Sequence, residues 1–316
     1  MKIALITPAG ARSRSGNRHT AMRWAAMLRS LGHKVRVSVS WGGRPAEVMI
    51  ALHARRSYAS IVRFRERFPA SPLVVVLTGT DLYRDIRTDC DARASLALAD
   101  RLVVLQDMGR LELPARFRRK TRVIYQSAEV HASPEPPSRR FRVAVIGHLR
   151  EEKDPFRAAL ALAHLRDLPE IEIVQLGEAL SPEMARTARR LARADPRYRW
   201  LGNMPHWQAM RWLSRSHALV VSSRMEGGAN VICEAAAAGV PVIASRVSGN
   251  MGMLGRGYPG YYALADERGL ARQIRRAASD PRYHARLKRL IAARRSVFLP
   301  ETERRGLQRL IAEFES

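Results

Sequence analysis

Apolar positions along the chain gather into short runs, and the stretches between them carry helical spacing. Lys2–Thr7 is the first run and ends at a loop rich in Gly, Ser and Arg. Arg18–Leu31 then offers Met22, Ala25, Ala26 and Leu31 to one helix face, and Gly32 stops it, as glycine past a helix end commonly does. Lys34–Val39 alternates like a strand, and Val48–Leu52, Leu73–Leu77, Leu102–Leu105 and Val123–Tyr125 are further apolar runs. Strands alternating with helices predict βα units and a parallel sheet. Glu129–Arg140 breaks the rhythm with three prolines, which sustain neither a helix nor a central strand, and reads as a linker. The alternation restarts with strands at Arg142–Ile146, Ile171–Gln175, Arg199–Leu201, Ala218–Ser222 and Pro241–Ala244. Helices are predicted at Pro155–Leu165, Pro182–Arg193, His206–Ser214, Asn230–Ala238 and Glu267–Ser279. The tail from Arg282 to Ser316 reads as helical, broken near Leu299-Pro300. The predicted organisation is therefore an α/β domain over 1-130, a linker over 131-140, a second α/β domain over 141-298 and a closing helix over 299-316. Two such units in tandem predict a cleft between them, with ligands outside the carboxyl ends of the strands.

The 316 residues suit two domains at about 150 residues each, enough to bury a core without staples. A composition 46% hydrophobic and 27% charged is globular rather than disordered. No apolar stretch reaches the ~18 residues of a membrane helix, and the first residues are too briefly apolar for a signal peptide. Cys90 and Cys233 alone make neither a disulfide framework nor a zinc site, so a reducing cytoplasm is expected, with no stable membrane insertion. Charge changes the picture more. Lys and Arg number 55 against 29 Asp and Glu, a formal balance of +26. Lys2, Lys34, Lys120, Lys153 and Lys288 are the lysines; the rest are arginines, dispersed along the chain. Such a balance fits a polyanion, an anionic membrane surface or an anionic small substrate. Aromatics at 6% are too sparse for a base-stacking surface, so no nucleic-acid partner is expected.

The densest chemistry lies in Ser222-Ser223-Arg224-Met225-Glu226-Gly227-Gly228-Ala229-Asn230-Val231-Ile232-Cys233-Glu234-Ala235. A strand ends, a glycine-rich turn follows, and a helix begins near Asn230. Backbone N–H groups at a helix start suit a phosphate, and the glycines of the turn let a ligand approach the backbone. Glu226 before the turn and Glu234 one turn into the helix suit two ends of one extended ligand. Asp89-Cys90-Asp91 spells an Asp-x-Asp pattern, but it precedes a helical run and reads as helix capping. The histidines show no two-histidine metal spacing; no metal and no cofactor are expected.

These residues, with Ala236 to Ala244 and its Gly239-Val240-Pro241-Val242, resemble the family-4-like retaining glycosyltransferases of the GT-B fold, in which two Rossmann-like domains face a central cleft. The resemblance implies that Glu226 faces the sugar of a nucleotide-sugar donor and that Glu234 holds the ribose hydroxyls. It also implies that Gly227, Gly228, Ala229, Asn230 and Val231 line the donor. Gly147-His148-Leu149-Arg150-Glu151-Glu152-Lys153-Asp154 is similar to the family's diphosphate-gripping stretch. Lys153 keeps its place, His148 stands for the usual arginine, Arg150 supplies charge, and Asp154 replaces a glycine. Leu201-Gly202-Asn203-Met204-Pro205-His206 fits the loop that frames the base. Glu226 and Lys153 are thereby the expected catalytic residues, with UDP-sugar as co-substrate, and part of the closing helix is expected to cross back to the first domain.

The amino-terminal half departs from the common pattern. Leu77-Thr78-Gly79-Thr80-Asp81 replaces a His-Gly-x-Asp, Gln106 stands where Ser is common, and Gln126-Ser127 replace Asn-Gly. Together with Ser15-Gly16-Asn17-Arg18-His19 and His53-Ala54-Arg55-Arg56, these stretches resemble the selenosugar synthases of selenoneine biosynthesis. That resemblance implies transfer of a sugar, N-acetylglucosamine in the known reaction, from UDP to selenophosphate with formation of a carbon–selenium bond. Anionic selenium needs positioning and charge neutralisation more than a base. The expected acceptor cradle is Gly16, Asn17, Arg18, His19, Arg55, Arg56, Thr78, Gly79 and Thr80, with Arg84 nearby. An ordinary glycan or lipid-linked hydroxyl acceptor is the alternative, and a non-enzymatic basic binding protein a more distant one.

Overall fold

The computed structural model describes residues 1–10, 16–129 and 135–315. By contacts the chain divides into two compact units. One comprises Met1–Ser127, Glu226–Gly228 and Pro300–Ser316; the other comprises Ala128–Met225 and Ala229–Leu299. Residues 130–134 of the proline-rich stretch, and Ser15, lie outside the described residues.

The first unit runs β1 (Lys2–Ile6), α1 (Gly16–Ser30), β2 (Lys34–Ser38), β3 (Val48–Leu52), α2 (Tyr58–Arg67) and β4 (Leu73–Leu77). A turn of π-helix at Asp81–Asp85 follows, then α3 (Ile86–Thr88), α4 (Cys90–Leu98), β5 (Arg101–Val104), α5 (Gly109–Glu112), α6 (Ala115–Arg118) and β6 (Thr121–Val123). The strands form one parallel sheet in the order β2-β1-β3-β4-β5-β6. Both faces are covered, so the central strands β3 and β4 are buried along their whole length, as continuous apolar runs require. Met49, Ala51, Val75 and Leu77 face Phe64 and Leu96, whereas Val48, Ile50, Leu52 and Val76 face Trp24 and Leu28. The helix that closes the chain supplies Leu307, Leu310 and Ile311 to that second face. Its buried Glu303 accepts hydrogen bonds from Trp24 Nε1 (2.6 Å), Arg23 Nε (2.8 Å) and Ser127 Oγ, which fixes α1 against it. Asp89 caps α4, its carboxylate accepting from the Ala92 N–H at 2.9 Å, as read from the sequence.

The second unit runs β7 (Phe141–Ile146), α7 (Arg157–Ala161), β8 (Ile171–Leu176), α8 (Pro182–Ala194), β9 (Tyr198–Trp200), α9 (His206–Ser214) and β10 (Ala218–Val221). It continues through α10 (Asn230–Ala238), β11 (Val242–Ser245), α11 (Ser248–Leu254), β12 (Tyr261–Tyr262), α12 (Glu267–Ser279) and α13 (Pro281–Arg294), before α14 (Pro300–Ala312) in the first unit. Its parallel sheet has the order β12-β11-β10-β7-β8-β9. The strand order reverses between β7 and β10 here and between β1 and β3 in the first sheet. In open parallel sheets these switch points, at the carboxyl ends of the strands, are where ligands bind.

The helix expected at Pro155–Leu165 is shorter: α7 covers Arg157–Ala161 and continues as a tighter turn at Leu162–His164. The helix read from Arg18 begins two residues earlier, so that Gly16 to His19 form the first turn of α1, where Thr20 Oγ1 donates to Gly16 O at 2.9 Å.

Candidate functional site

In the second unit the expected donor residues gather at the switch point. β7 ends at Ile146, and Gly147 follows with φ 149 and open space where a Cβ would stand. His148 Nδ1 accepts from the Glu178 N–H at 3.3 Å, and Leu149 bridges to Ala179, so this loop is knitted to the one after β8. Arg150 is exposed, and Glu151–Lys153 form a single tight turn. That turn is stapled to the end of β10. The Ser222 hydroxyl shares its proton between the carbonyls of Lys153 (3.0 Å) and Asp154 (2.8 Å), and the Arg224 N–H donates to Glu152 O at 2.8 Å. Asp154, standing where glycine is usual, adopts φ 43. Aspartate is among the few side chains that tolerate this left-handed region, so the substitution keeps the turn. Arg157 then pairs with Asp154 at 2.9 Å.

β10 delivers the chain to α10, whose cap residue is Ala229, which has no side-chain oxygen to offer the first-turn N–H groups. An N-terminus left without a side-chain cap, beside the Lys153 turn, suits a diphosphate. Glu234 lies one turn along α10, and its Oε1 is 2.9 Å from Nε2 of His206, the first residue of α9. The hydrogen bond to Glu234 raises the His206 pKa above its ordinary 6.5, partly opposed by desolvation. Asn203 is exposed on the loop before α9, and the Gly202 carbonyl accepts from the Gly177 N–H at 2.8 Å.

The glycines before α10 also answer to the protein's own backbone. A Cβ on Gly227 would stand 2.3 Å from the Thr78 carbonyl carbon and oxygen, and one on Gly228 would stand 2.6 Å from Leu105 Cβ. Within the first unit, then, glycine is required by the backbone of residues 78–79 and by Leu105. Glu226 is buried, and its carbonyl accepts from Tyr83 Oη at 2.7 Å. Tyr83 Oη in turn accepts from Gln106 Nε2 at 3.0 Å, while Gln106 Oε1 accepts from the Gly109 N–H.

At the carboxyl edge of the first sheet, Asp81 organises the loop after β4. Its carboxylate accepts from the N–H groups of Thr78 (3.0 Å), Gly79 (2.8 Å) and Ala54 (3.0 Å). The backbone donors of Thr78 and Gly79 are therefore committed to Asp81. Buried His53, with φ 71, has Nε2 at 3.1 Å from Thr80 Oγ1, while its Nδ1 accepts from the Arg56 N–H at 3.3 Å. That acceptor role puts the ring proton on Nε2, directed at Thr80. Arg55 Nε lies 3.1 Å from Asp85 Oδ2, and Arg84 Nε donates to Asp85 Oδ1 at 3.0 Å. One buried carboxylate thus holds two half-exposed guanidinium groups, while the Arg56 side chain is exposed. Gly16, Asn17, Arg18 and His19 lie on the first turn of α1, after β1, the strand beside β3.

Sequence reasoning missed three contributors: His206 as the partner of Glu234, the Gln106–Tyr83 chain to Glu226, and Asp85 as the holder of Arg55 and Arg84. A buried glutamine ending an apolar strand was the one local signal among them.

The family described as "Glycosyl transferases group 1" matches residues 126–294, more than half of the chain. Glycogen synthase of Mycobacterium tuberculosis is 31% identical over 138 residues, which are 43% of this chain and 33% of that enzyme. The chain thus spans about a third of the length of this curated relative. Among solved structures, Anabaena HepE in complex with UDP-glucose superposes with a TM-score of 0.79 at 16% identity, covering 99% of this chain and 100% of that one. Sucrose-phosphate synthase of Thermosynechococcus elongatus gives 0.78 at 18% identity, covering 99% and 98%. At such identities the likeness shows the fold, which is GT-B.

Proposed function

The chain belongs to the group 1 glycosyl transferases, and from that membership we propose that it moves a sugar from a UDP-sugar to selenophosphate, forming a carbon–selenium bond. The observation that carries the donor half is the Lys153 turn stapled beside the uncapped start of α10. Lys153 and the α10 N–H groups neutralise the diphosphate, Glu234 takes the ribose hydroxyls, and Glu226 faces the sugar. A UDP-sugar is also the ligand in the Anabaena HepE complex. N-acetylglucosamine is the sugar of the selenosugar synthases that the amino-terminal stretches resemble.

The acceptor half is supported by the guanidinium groups of Arg55 and Arg84 held on Asp85, beside the hydroxyl of Thr80. A small multiply charged anion takes charge-assisted hydrogen bonds from such groups, which are about twice as strong as neutral ones. Selenium attacks the anomeric carbon with its own electron pair. The bond from that carbon to the diphosphate oxygen breaks, and UDP leaves with the bonding pair, its charge met by Lys153 and the helix start. Water then cleaves the selenium–phosphorus bond, releasing phosphate and the selenosugar, with no change of oxidation state.

A hydroxyl acceptor is the second reading, favoured by the identity to glycogen synthase. Mass spectrometry of products from purified protein, UDP-N-acetylglucosamine and selenophosphate separates the two. A selenium-containing sugar with stoichiometric UDP supports the proposal, and UDP release only with hydroxyl acceptors sinks it.

A further inference from the structure

We propose that His206 is a positioning residue that aims the Glu234 carboxylate at the vicinal hydroxyls of a ribonucleoside diphosphate, and so sets the preference for ribose over deoxyribose. The inference rests on the nucleotide-sugar reading above and goes beyond it: His206 ends the stretch expected to frame the base, and that reading gives its imidazole no role of its own. Glu234 is the one carboxylate on α10, in a helix otherwise made of Ala, Val, Ile, Cys and Asn. A lone glutamate on such a face samples several rotamers. His206 Nε2 removes that freedom by holding Oε1 at 2.9 Å. An ionised carboxylate has about four lone-pair directions, and one is used here. The remaining capacity lies mainly on Oε2 and matches two O–H donors on adjacent carbons, which a ribose offers and a 2′-deoxyribose does not.

The arrangement is built for orientation rather than for bulk stability. The His206 side chain is 62% exposed and that of Glu234 is 16% exposed. α9 is independently held, since Ala209 and Leu213 are buried against the unit's core. Removing the imidazole therefore leaves both helices in place and frees the carboxylate.

The test is calorimetry of UDP and 2′-deoxy-UDP with wild type, His206→Ala, His206→Gln and Glu234→Ala, with kinetics for the donor. The expected result is a loss of about three- to tenfold in UDP affinity for His206→Ala, the worth of one hydrogen bond, with 2′-deoxy-UDP affinity unchanged. His206→Gln, which keeps an N–H donor, restores most of the loss. His206→Ala adds nothing in the Glu234→Ala background, and the donor KM rises while kcat at saturation stays within about twofold. Equal losses for UDP and 2′-deoxy-UDP, or no loss for either, overturn the role of His206 while leaving the nucleotide reading intact. Failure of the wild type to bind UDP overturns both.

Discussion

Gly227→Ala tests whether the turn before α10 is glycine for the sake of the protein backbone. The added Cβ would stand 2.3 Å from the carbon and oxygen of the Thr78 carbonyl and 2.7 Å from Gly79 N, against ordinary contact at 3.4 Å and beyond. Relief requires a backbone shift of about 1 Å, and the partner cannot supply it. The Thr78 and Gly79 N–H groups are tied to Asp81, and the Gly79 carbonyl accepts from Leu82 and Tyr83. The Glu226–Gly228 segment must yield instead, stretching the 2.7 Å bond from Tyr83 Oη to the Glu226 carbonyl. Overpacking costs about 1–3 kcal/mol and a weakened hydrogen bond about 1 more, so a loss of about 2–4 kcal/mol is expected. Urea denaturation measures it, with Gly42→Ala as control, since a Cβ there meets nothing within 4 Å. Because Glu226 moves with the turn, kcat should fall while UDP affinity, which the proposed function assigns to Glu234 and the Lys153 turn, stays near wild type. A Gly227→Ala protein that unfolds at the midpoint of Gly42→Ala, with full turnover, refutes the reasoning.

Glu234→Ala should cost about 1–3 kcal/mol of UDP binding by calorimetry, whereas Glu226→Ala should lower turnover more than nucleotide affinity. Arg55→Ala, which strips one guanidinium from buried Asp85, should raise the selenophosphate KM about tenfold and cost about 1 kcal/mol of stability, with donor KM unchanged; kinetics with each substrate varied in turn check it. Glu172, buried on β8 between Arg142 (2.8 Å) and Arg199 (2.9 Å), should lose about 1–3 kcal/mol of stability as Glu172→Gln at neutral pH. Burial opposes its ionisation, but the two arginines outweigh burial and hold its pKa below 4.5. A lowered folded-state pKa contributes stability above the unfolded value and loses it as pH falls through the folded one, so wild type and variant should converge in denaturation curves as the pH falls below the folded-state pKa.

Legibility followed sequence separation. β3 and β4 match the sequence reading residue for residue because strands covered on both faces are unbroken apolar runs. α9, α10 and α12 match too, each bounded by a turn or a proline. β12 and α11 were not anticipated. Two residues carry no alternation, and Ser-Gly-Asn-Met-Gly-Met-Leu has little helix propensity, so tertiary packing makes these elements. At the candidate site, the Lys153 turn and the start of α10 were readable because each is a local backbone feature. The His206–Glu234 pair joins two helices across 28 positions, and the Asp85 contacts depend on how β3 and β4 lie side by side. Neither leaves a periodic trace.

The same distinction bears on the glycine-rich turn, whose glycines have a second, long-range reason. Glycine before a helix start is consistent with a close-lying phosphate, and the turn does lead into an uncapped helix. Yet the atoms that exclude a Cβ from Gly227 and Gly228 are those of Thr78, Gly79 and Leu105. The loop after β4 is itself rigid because Asp81 gathers its N–H groups, and Tyr83, held by Gln106, fixes the carbonyl of Glu226. Glu226 is thus positioned by residues from the amino-terminal half, where this chain departs from the common family pattern. A change of acceptor chemistry in that half need not disturb the Lys153 turn or Glu234, which draw their support from β7, β10 and α9. On the proposed function, donor affinity and acceptor choice rest on separate sets of contacts, and substitutions in one set should leave the other's binding constant nearly unmoved.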